Sequence, residues 1–196
     1  MNSHFKENIT NEHIRNLPLL AFEGNIRVIE NEEEVDKALD LLRKEKILGF
    51  DTEKKPTFKK GDYHPTAMIQ LASHHEAFLF RLNKIGCPNS LFDLMSDPEK
   101  IKFGISIGDD LKELRKLNPF EPSGFFDLNH IVKDIGVKHI GVKKLAAIFL
   151  NKRISKGQQT SNWENDALTE AQQKYAATDA WICLKIHQKL REQGYL

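Results

Sequence analysis

The sequence predicts an α/β protein: a mixed β-sheet of five or six strands with helices on both faces. Three observations carry this. Two apolar runs, Met68–Ala72 and Ala77–Leu82, hinge at Ser73-His74-His75-Glu76 and read as a hairpin. After them, short apolar runs alternate with segments of helical periodicity, the alternation expected of an α/β sheet. Finally, the 196 residues hold no long linker and no composition shift, and the near-duplication of Ile135–Lys138 in Ile140–Lys143 is local. One domain of ordinary size follows. Residues 1–25 read as an N-terminal arm and residues 26–196 as the domain.

The elements follow in order. A short helix fits Glu12–Leu17, ahead of Pro18, and Ile26–Ile29 fits an edge strand. From Glu32 to Lys46 the residues Val35, Ala38, Leu39, Leu41 and Leu42 recur at helical spacing between charges. Ile47–Phe50 is too short for a helix and reads as a buried strand whose C-terminal end carries Asp51. Lys54–Pro65 holds two prolines, one glycine and four lysines (Lys54, Lys55, Lys59 and Lys60), the composition of an exposed loop. A helix near Leu91–Met95 precedes Pro98. Next come a strand over Lys102–Ile107, a helix over Asp109–Leu117 and a short strand at Gly124–Asp127. A helix then runs to Ile135, and Val142–Leu150 is helical too. The last helix opens on a capping box, Thr169 with Gln172, and runs to about Leu190.

Composition narrows the function. Hydrophobic residues are 40% and charged residues 29%, and 29 Lys+Arg against 28 Asp+Glu leave a net charge of +1. This is a soluble globular balance, and it excludes a strongly basic coat protein or an acidic tail. No secretory signal opens the chain and no apolar stretch approaches the roughly 20 residues that span a bilayer. No membrane association is expected, and the expected location is cytoplasmic. Two cysteines, Cys87 and Cys183, suit a reducing compartment and are too few for a disulfide framework or a Cys-based zinc cage.

Five residues carry the chemistry. In GFDTEKKP, Asp51 and Glu53 are two apart at the end of an apolar strand, so their carboxylates point the same way. Such a pair repels itself unless a cation intervenes, and Mg²⁺ favours carboxylate oxygens. In KFGISIGDDLKEL, Asp109 and Asp110 compete. Asp110 shares a helical stripe with Leu114 and Leu117, whereas Asp109 sits with Lys112, Glu113 and Lys116. An inward carboxylate needs a partner, so Asp110 is the candidate ligand and Asp109 reads as an N-cap. In KYAATDAW, Tyr175 and Asp179 are four apart on the final helix and continue into its core stripe, Ile182, Cys183, Ile186 and Leu190. An acid on an apolar stripe is rare without a partner.

Together these motifs resemble the 3′–5′ exonuclease superfamily with three acidic motifs and a tyrosine in the last, the DEDDy group of ribonuclease D and Werner-type exonuclease domains. GFDTE is similar to the first motif. GISIGDD is similar to the second, with its acid six residues after Gly104, and SNWENDALTEAQQKYAATDAW resembles the third. HPTAMIQLA, which contains Gln70, and FFDL resemble intervening segments, so the likeness spans about residues 26–194. It implies a ribonuclease H-like fold whose mixed sheet begins with an antiparallel meander. It implies two divalent ions, Mg²⁺ or Mn²⁺, held by Asp51, Glu53, Asp110 and Asp179. By this resemblance Asp51 bridges both ions, Glu53 and Asp179 complete the water-activating site, and Asp110 serves the second ion. Tyrosine, with an ordinary pKa near 10, is a poor base at neutral pH, so Tyr175 is expected to orient the attacking water. The implied activity is hydrolysis of phosphodiester bonds from a free 3′ end of DNA or RNA, releasing nucleoside 5′-monophosphates.

Weaker features surround this set. Lys54 and Lys55 follow the first motif and are candidate phosphate contacts. Lys138, Lys143, Lys144, Lys152, Arg153 and Lys156 form a second basic region, from which Lys143 and Lys144 are candidates, with Gln70 and Trp163 as further substrate contacts. Trp163 reads more readily as a packing anchor than as a base-stacking platform, Asp127 as a helix cap rather than a fifth metal ligand, and His74-His75 as surface residues rather than a metal pair. Werner-type relatives often carry an arginine where this chain has Gln159. The rival function is a catalytically silent nucleic-acid-binding module on the same fold, which the loss of an acid or of the tyrosine would favour; none is lost. A purely structural domain leaves the inward acids unexplained.

Overall fold

The computed structural model describes residues 9–59, 61–138 and 140–196. Lys60 of the lysine loop and residues 1–8 of the arm lie outside these. Six strands form one mixed sheet in the order β1-β4-β3-β2-β5-β6. They are β1 (Asn25–Ile29), β2 (Ile47–Lys54), β3 (Thr66–Ala72), β4 (Glu76–Arg81), β5 (Ile101–Gly104) and β6 (Phe125–Asp127). The run β2-β3-β4 is an antiparallel meander; β1 joins β4, β5 joins β2 and β6 joins β5, all in parallel. The helices are α1 (Asn11–Arg15), α2 (Glu32–Leu42), α3 (Leu82–Ile85), α4 (Asn89–Ser96), α5 (Gly108–Leu117), α6 (Leu128–Asp134), α7 (Val142–Leu150) and α8 (Glu170–Glu192).

Strand alternation divides the core between two faces. Leu48 and Phe50 of β2, Ile69 and Leu71 of β3, and Phe78 and Phe80 of β4 face one side. There they bury against Val35, Leu39 and Leu42 of α2, Leu91, Phe92 and Met95 of α4, and Leu114 of α5. The opposite face carries smaller groups, Ala72 and Ala77 with Met68 and Leu79, and α8 lies across it through Ala176, Ala177 and Ala180. The C-terminal half of α8 packs Ile182, Ile186 and Leu190 against Phe103, Leu128, Leu145 and Phe149. At 23 residues, α8 is roughly 35 Å long, enough to cross the whole sheet. Its Thr169–Gln172 capping box is formed as the sequence predicts. The described part of the arm lies on this layer: Ile14 and Leu17 pack on Ala147, and the Phe22 N–H donates to Thr178 Oγ1 at 3.0 Å. Among the described residues no helix is long and apolar enough to cross a membrane.

Three local differences from the sequence reading bear on function. First, β2 does not stop at Asp51 but runs to Lys54. Its pairing with β3 continues through Asp51↔Gln70, Thr52↔Ile69 and Glu53↔Met68, while its pairing with β5 ends at Gly49↔Phe103. Beyond Gly49 the strand is paired on one edge only. Second, β5 ends at Gly104, because Ser106 adopts a left-handed backbone with φ 63°. The Asp127 carboxylate receives the Ser106 and Ile107 N–H groups at 3.1 and 3.2 Å and turns the chain into α5. Third, Asp109 is not the N-cap of α5. That position is Ile107, and Asp109 lies in the first turn, bonded to Lys112 Nζ at 2.8 Å.

Candidate active site

Asp51 and Glu53 share strand parity with Gly49, so both face α8. From α8, Tyr175 and Asp179 approach one helical turn apart. Carboxylate oxygens of Asp51, Glu53 and Asp179 lie within 4.8 Å of one another. They line an open cleft of about 460 Å³ together with Ser106, Lys143, Lys144 and Gln159. Asp110 stands apart from this trio. Half-buried at the start of α5, its Oδ1 accepts the Thr52 hydroxyl at 2.5 Å, on the far side of β2 from Asp51. Its charge is nonetheless felt at Asp51.

The electrostatics are those of like charges forced together. Burial holds the Asp51 carboxyl well above the usual range, and repulsion from Asp179 and Asp110 adds to it, against a 3.0 Å bond from the Thr52 N–H. Burial, then Asp51 and Asp179, push Glu53 up to about 10. Asp179 is raised by burial despite Lys156, and its Oδ1 has no partner among the described residues. Three converging carboxylates with a single ammonium, Lys156, beside them suit a hard divalent cation, so the residues present fit the metal that the sequence implies. Tyr175 is almost fully buried. Burial followed by repulsion from Asp179 and Glu53 raises its hydroxyl pKa, so it stays protonated at neutral pH.

Lys156, read from sequence only as part of a basic region, lies at the centre of this group. Its Nζ is 2.8 Å from Asp179 Oδ2 and 3.2 Å from Tyr175 Oη. It belongs to the loop before α8, and no periodicity marks it out there. Among the predicted substrate contacts, Lys143 and Lys144 line the cleft and Lys54 is exposed at the end of β2. Lys55 is turned toward Glu164 at 3.4 Å, as is His64 at 3.6 Å. Gln70 and Trp163 are corrections: both are wholly buried and present no surface to a nucleotide. Gln70 sits directly across from Asp51 beneath α8, because the β2–β3 register places the two side by side. Trp163 fills the space between Met68, Leu79, Leu168 and Tyr175, so it packs the tyrosine and stacks on no base. Its turn is tied down by the buried Arg81, whose guanidinium donates to the Asn165 and Asp166 carbonyls and pairs with Glu30. Asp127 caps α6, as the sequence suggests.

Comparison with known proteins agrees with this geometry. A family described as 3′-5′ exonuclease matches residues 26–194. The mouse bifunctional 3′-5′ exonuclease/ATP-dependent helicase WRN is 32% identical over 192 residues, covering 91% of this chain and 14% of that protein. The Drosophila melanogaster exonuclease 3′-5′ domain-containing protein 2 is 34% identical over 149 residues, covering 74% of this chain and 25% of that protein. The chain therefore spans a quarter or less of the length of these two relatives. In structure it is similar to the EXO domain of Aedes aegypti Nibbler, with a TM-score of 0.81 at 19% identity, covering 89% of this chain and 92% of that one. Escherichia coli RNase D gives 0.75 at 21% identity, covering 88% and 47%. The architecture is thus ribonuclease H-like.

Proposed function

The chain belongs to the 3′–5′ exonuclease family, and from that premise we propose that it hydrolyses phosphodiester bonds from a free 3′ end of DNA or RNA, releasing nucleoside 5′-monophosphates. The observation that carries this reading is the convergence of Asp51, Glu53 and Asp179 within 4.8 Å, beside Tyr175 in one open cleft. Two divalent ions, Mg²⁺ or Mn²⁺, held by Asp51, Glu53, Asp110 and Asp179, would supply Lewis-acid stabilisation of the attacking and leaving oxygens. The chain's own groups do the rest. Tyr175 keeps its proton, so it positions the attacking water by hydrogen bonding and does not act as the base. Lys143 and Lys144, which line the same cleft, meet the phosphate backbone, and Lys54 and Lys55 extend that contact along the loop after β2. Gln159, on the cleft wall, offers a neutral amide to the same strand. Both cysteines are free thiols, which suits a reducing cytoplasm.

The test is a time course on 5′-labelled single-stranded DNA, duplexes with recessed or overhanging 3′ ends, and RNA, each with Mg²⁺ or Mn²⁺. The expected result is a ladder of successively shorter products that EDTA abolishes. Cleavage that survives exhaustive chelation overturns the metal-dependent reading. Binding without cleavage on every strand replaces it with the silent nucleic-acid-binding module.

A further inference from the structure

Lys156 raises a question of hydrogen-bond direction. Its ammonium has three donors and no acceptor. With Nζ at 3.2 Å, Tyr175 Oη must accept from it, so the tyrosine's own hydrogen points elsewhere. Lys156 also donates to Asp179 Oδ2 at 2.8 Å. One ammonium therefore bridges the tyrosine and the aspartate. Trp163 packs beside the tyrosine ring at 5.9 Å between centroids, and the Lys156 Nζ lies 5.2 Å from the ring centre. The ring is fixed by packing, which leaves rotation of the hydroxyl as its main freedom. Lys156 removes that freedom. By engaging Oδ2 of Asp179 it also leaves Oδ1, the oxygen with no partner among the described residues, as the one available to other ligands.

We propose that Lys156 is a positioning residue for the hydrolysis: it fixes the direction in which the Tyr175 hydroxyl donates and the orientation of the Asp179 carboxylate. The inference rests on the exonuclease reading. It differs from a phosphate-binding role, in which the lysine would act on the substrate directly and independently of the tyrosine.

The test is a double-mutant cycle with Lys156→Met, Tyr175→Phe and the pair, together with Lys156→Arg. Single-turnover cleavage of a 5′-labelled strand is followed at saturating Mn²⁺, and kcat and KM are determined for the single variants. Lys156→Met should slow cleavage roughly 10–100-fold at saturating substrate while KM moves less than about threefold. Lys156→Arg, which keeps the donors, should recover most of that loss. In the Tyr175→Phe background, Lys156→Met should cost less than about threefold, because its target is gone. A full cost in that background, or a loss confined to KM, overturns the proposal. The same cycle is read as melting temperatures in EDTA, where the two residues should shift the melt non-additively; additive shifts also overturn it. A parent chain that cleaves no strand refutes the exonuclease reading, and the melting cycle still decides whether Lys156 acts through Tyr175.

Discussion

Gly49→Ala is the substitution whose consequence follows most directly from the packing. Gly49 lies on β2 where α8 crosses it, two residues before Asp51, and the backbone it meets is Ala180, next to Asp179. A Cβ on Gly49 would stand 2.8 Å from the Ala180 carbonyl carbon, with the carbonyl oxygen closer still. Carbon atoms in contact settle at about 3.5–4.0 Å, so strand and helix must separate by roughly an ångström. Neither obstacle is the end of a flexible side chain, so the backbone of α8 has to move. Overpacking of this kind costs about 1–3 kcal/mol. The larger effect falls on the site, because the separation opens between Asp51 and Asp179. A 1 Å misplacement costs on the order of 100-fold in rate. The assay joins denaturant unfolding, Mn²⁺ calorimetry and single-turnover cleavage. Gly108→Ala is the control, since that glycine starts α5 with nothing within 4 Å of its Cβ direction. Gly49→Ala should lose metal affinity and turnover far beyond its loss of stability, and Gly108→Ala should lose neither. If Gly49→Ala binds Mn²⁺ and cleaves like the parent, close approach of β2 and α8 is not what assembles the site.

Three further outcomes are expected. Asp110→Asn should reduce turnover by about 100-fold or more, whereas Asp109→Ala should leave turnover and the thermal melt unchanged, because Asp109 makes only an exposed bond to Lys112; the two variants are compared by single-turnover cleavage and calorimetric melting. Asp51→Asn should melt higher than the parent in EDTA, since it removes a buried charge that burial, Asp179 and Asp110 all disfavour, and Mn²⁺ should then no longer raise its melting temperature. Burial lowers the Lys102 pKa from 10.5 to about 8, so its charged form opposes folding below pH 8, and that cost fades as pH rises toward 10.5. Over this window the parent should gain at most ~3 kcal/mol relative to Lys102→Met, measured by urea unfolding from pH 7 to 10.5.

The elements legible in the sequence were those governed by local rules. The capping box at Thr169, the helical spacing of Val35, Ala38, Leu39 and Leu42, and the turn at Ser73–Glu76 all act within a few residues, and each forms as read. The boundary errors have tertiary causes. β2 outruns Asp51 because β3 continues to pair with it, and β5 stops short because an aspartate 21 residues beyond Ser106 captures that N–H. In the site, Asp51 with Glu53 and Tyr175 with Asp179 were legible because each pair lies on one element with a fixed period. Gln70 fails as a substrate contact because a polar side chain gives no local sign of its burial, whereas Trp163 takes the packing role that its residue type favours. Lys156 was undervalued for the opposite reason: it sits on a loop, where no periodicity assigns a direction.

This contrast also accounts for how the chain tolerates so unfavourable a cluster. The acids are not inserted into the core at random; they extend its repeating pattern at the point where one neighbour withdraws. Along β2, the face that buries Gly49 under α8 carries Asp51 and Glu53 once β5 no longer pairs. Along α8, the turn that packs Ala176 and Ala180 on the sheet also presents Tyr175 and Asp179. Alanines and a glycine let the two backbones approach, and the same closeness sets the carboxylates within reach of a shared cation. The attraction that holds them there is apolar contact from Trp163 at one end of α8 to Leu190 at the other, which no charge in the cleft can relax. Packing supplies the force and the acids bear the repulsion, so the site is strained in charge while its backbone remains that of an ordinary helix on an ordinary strand.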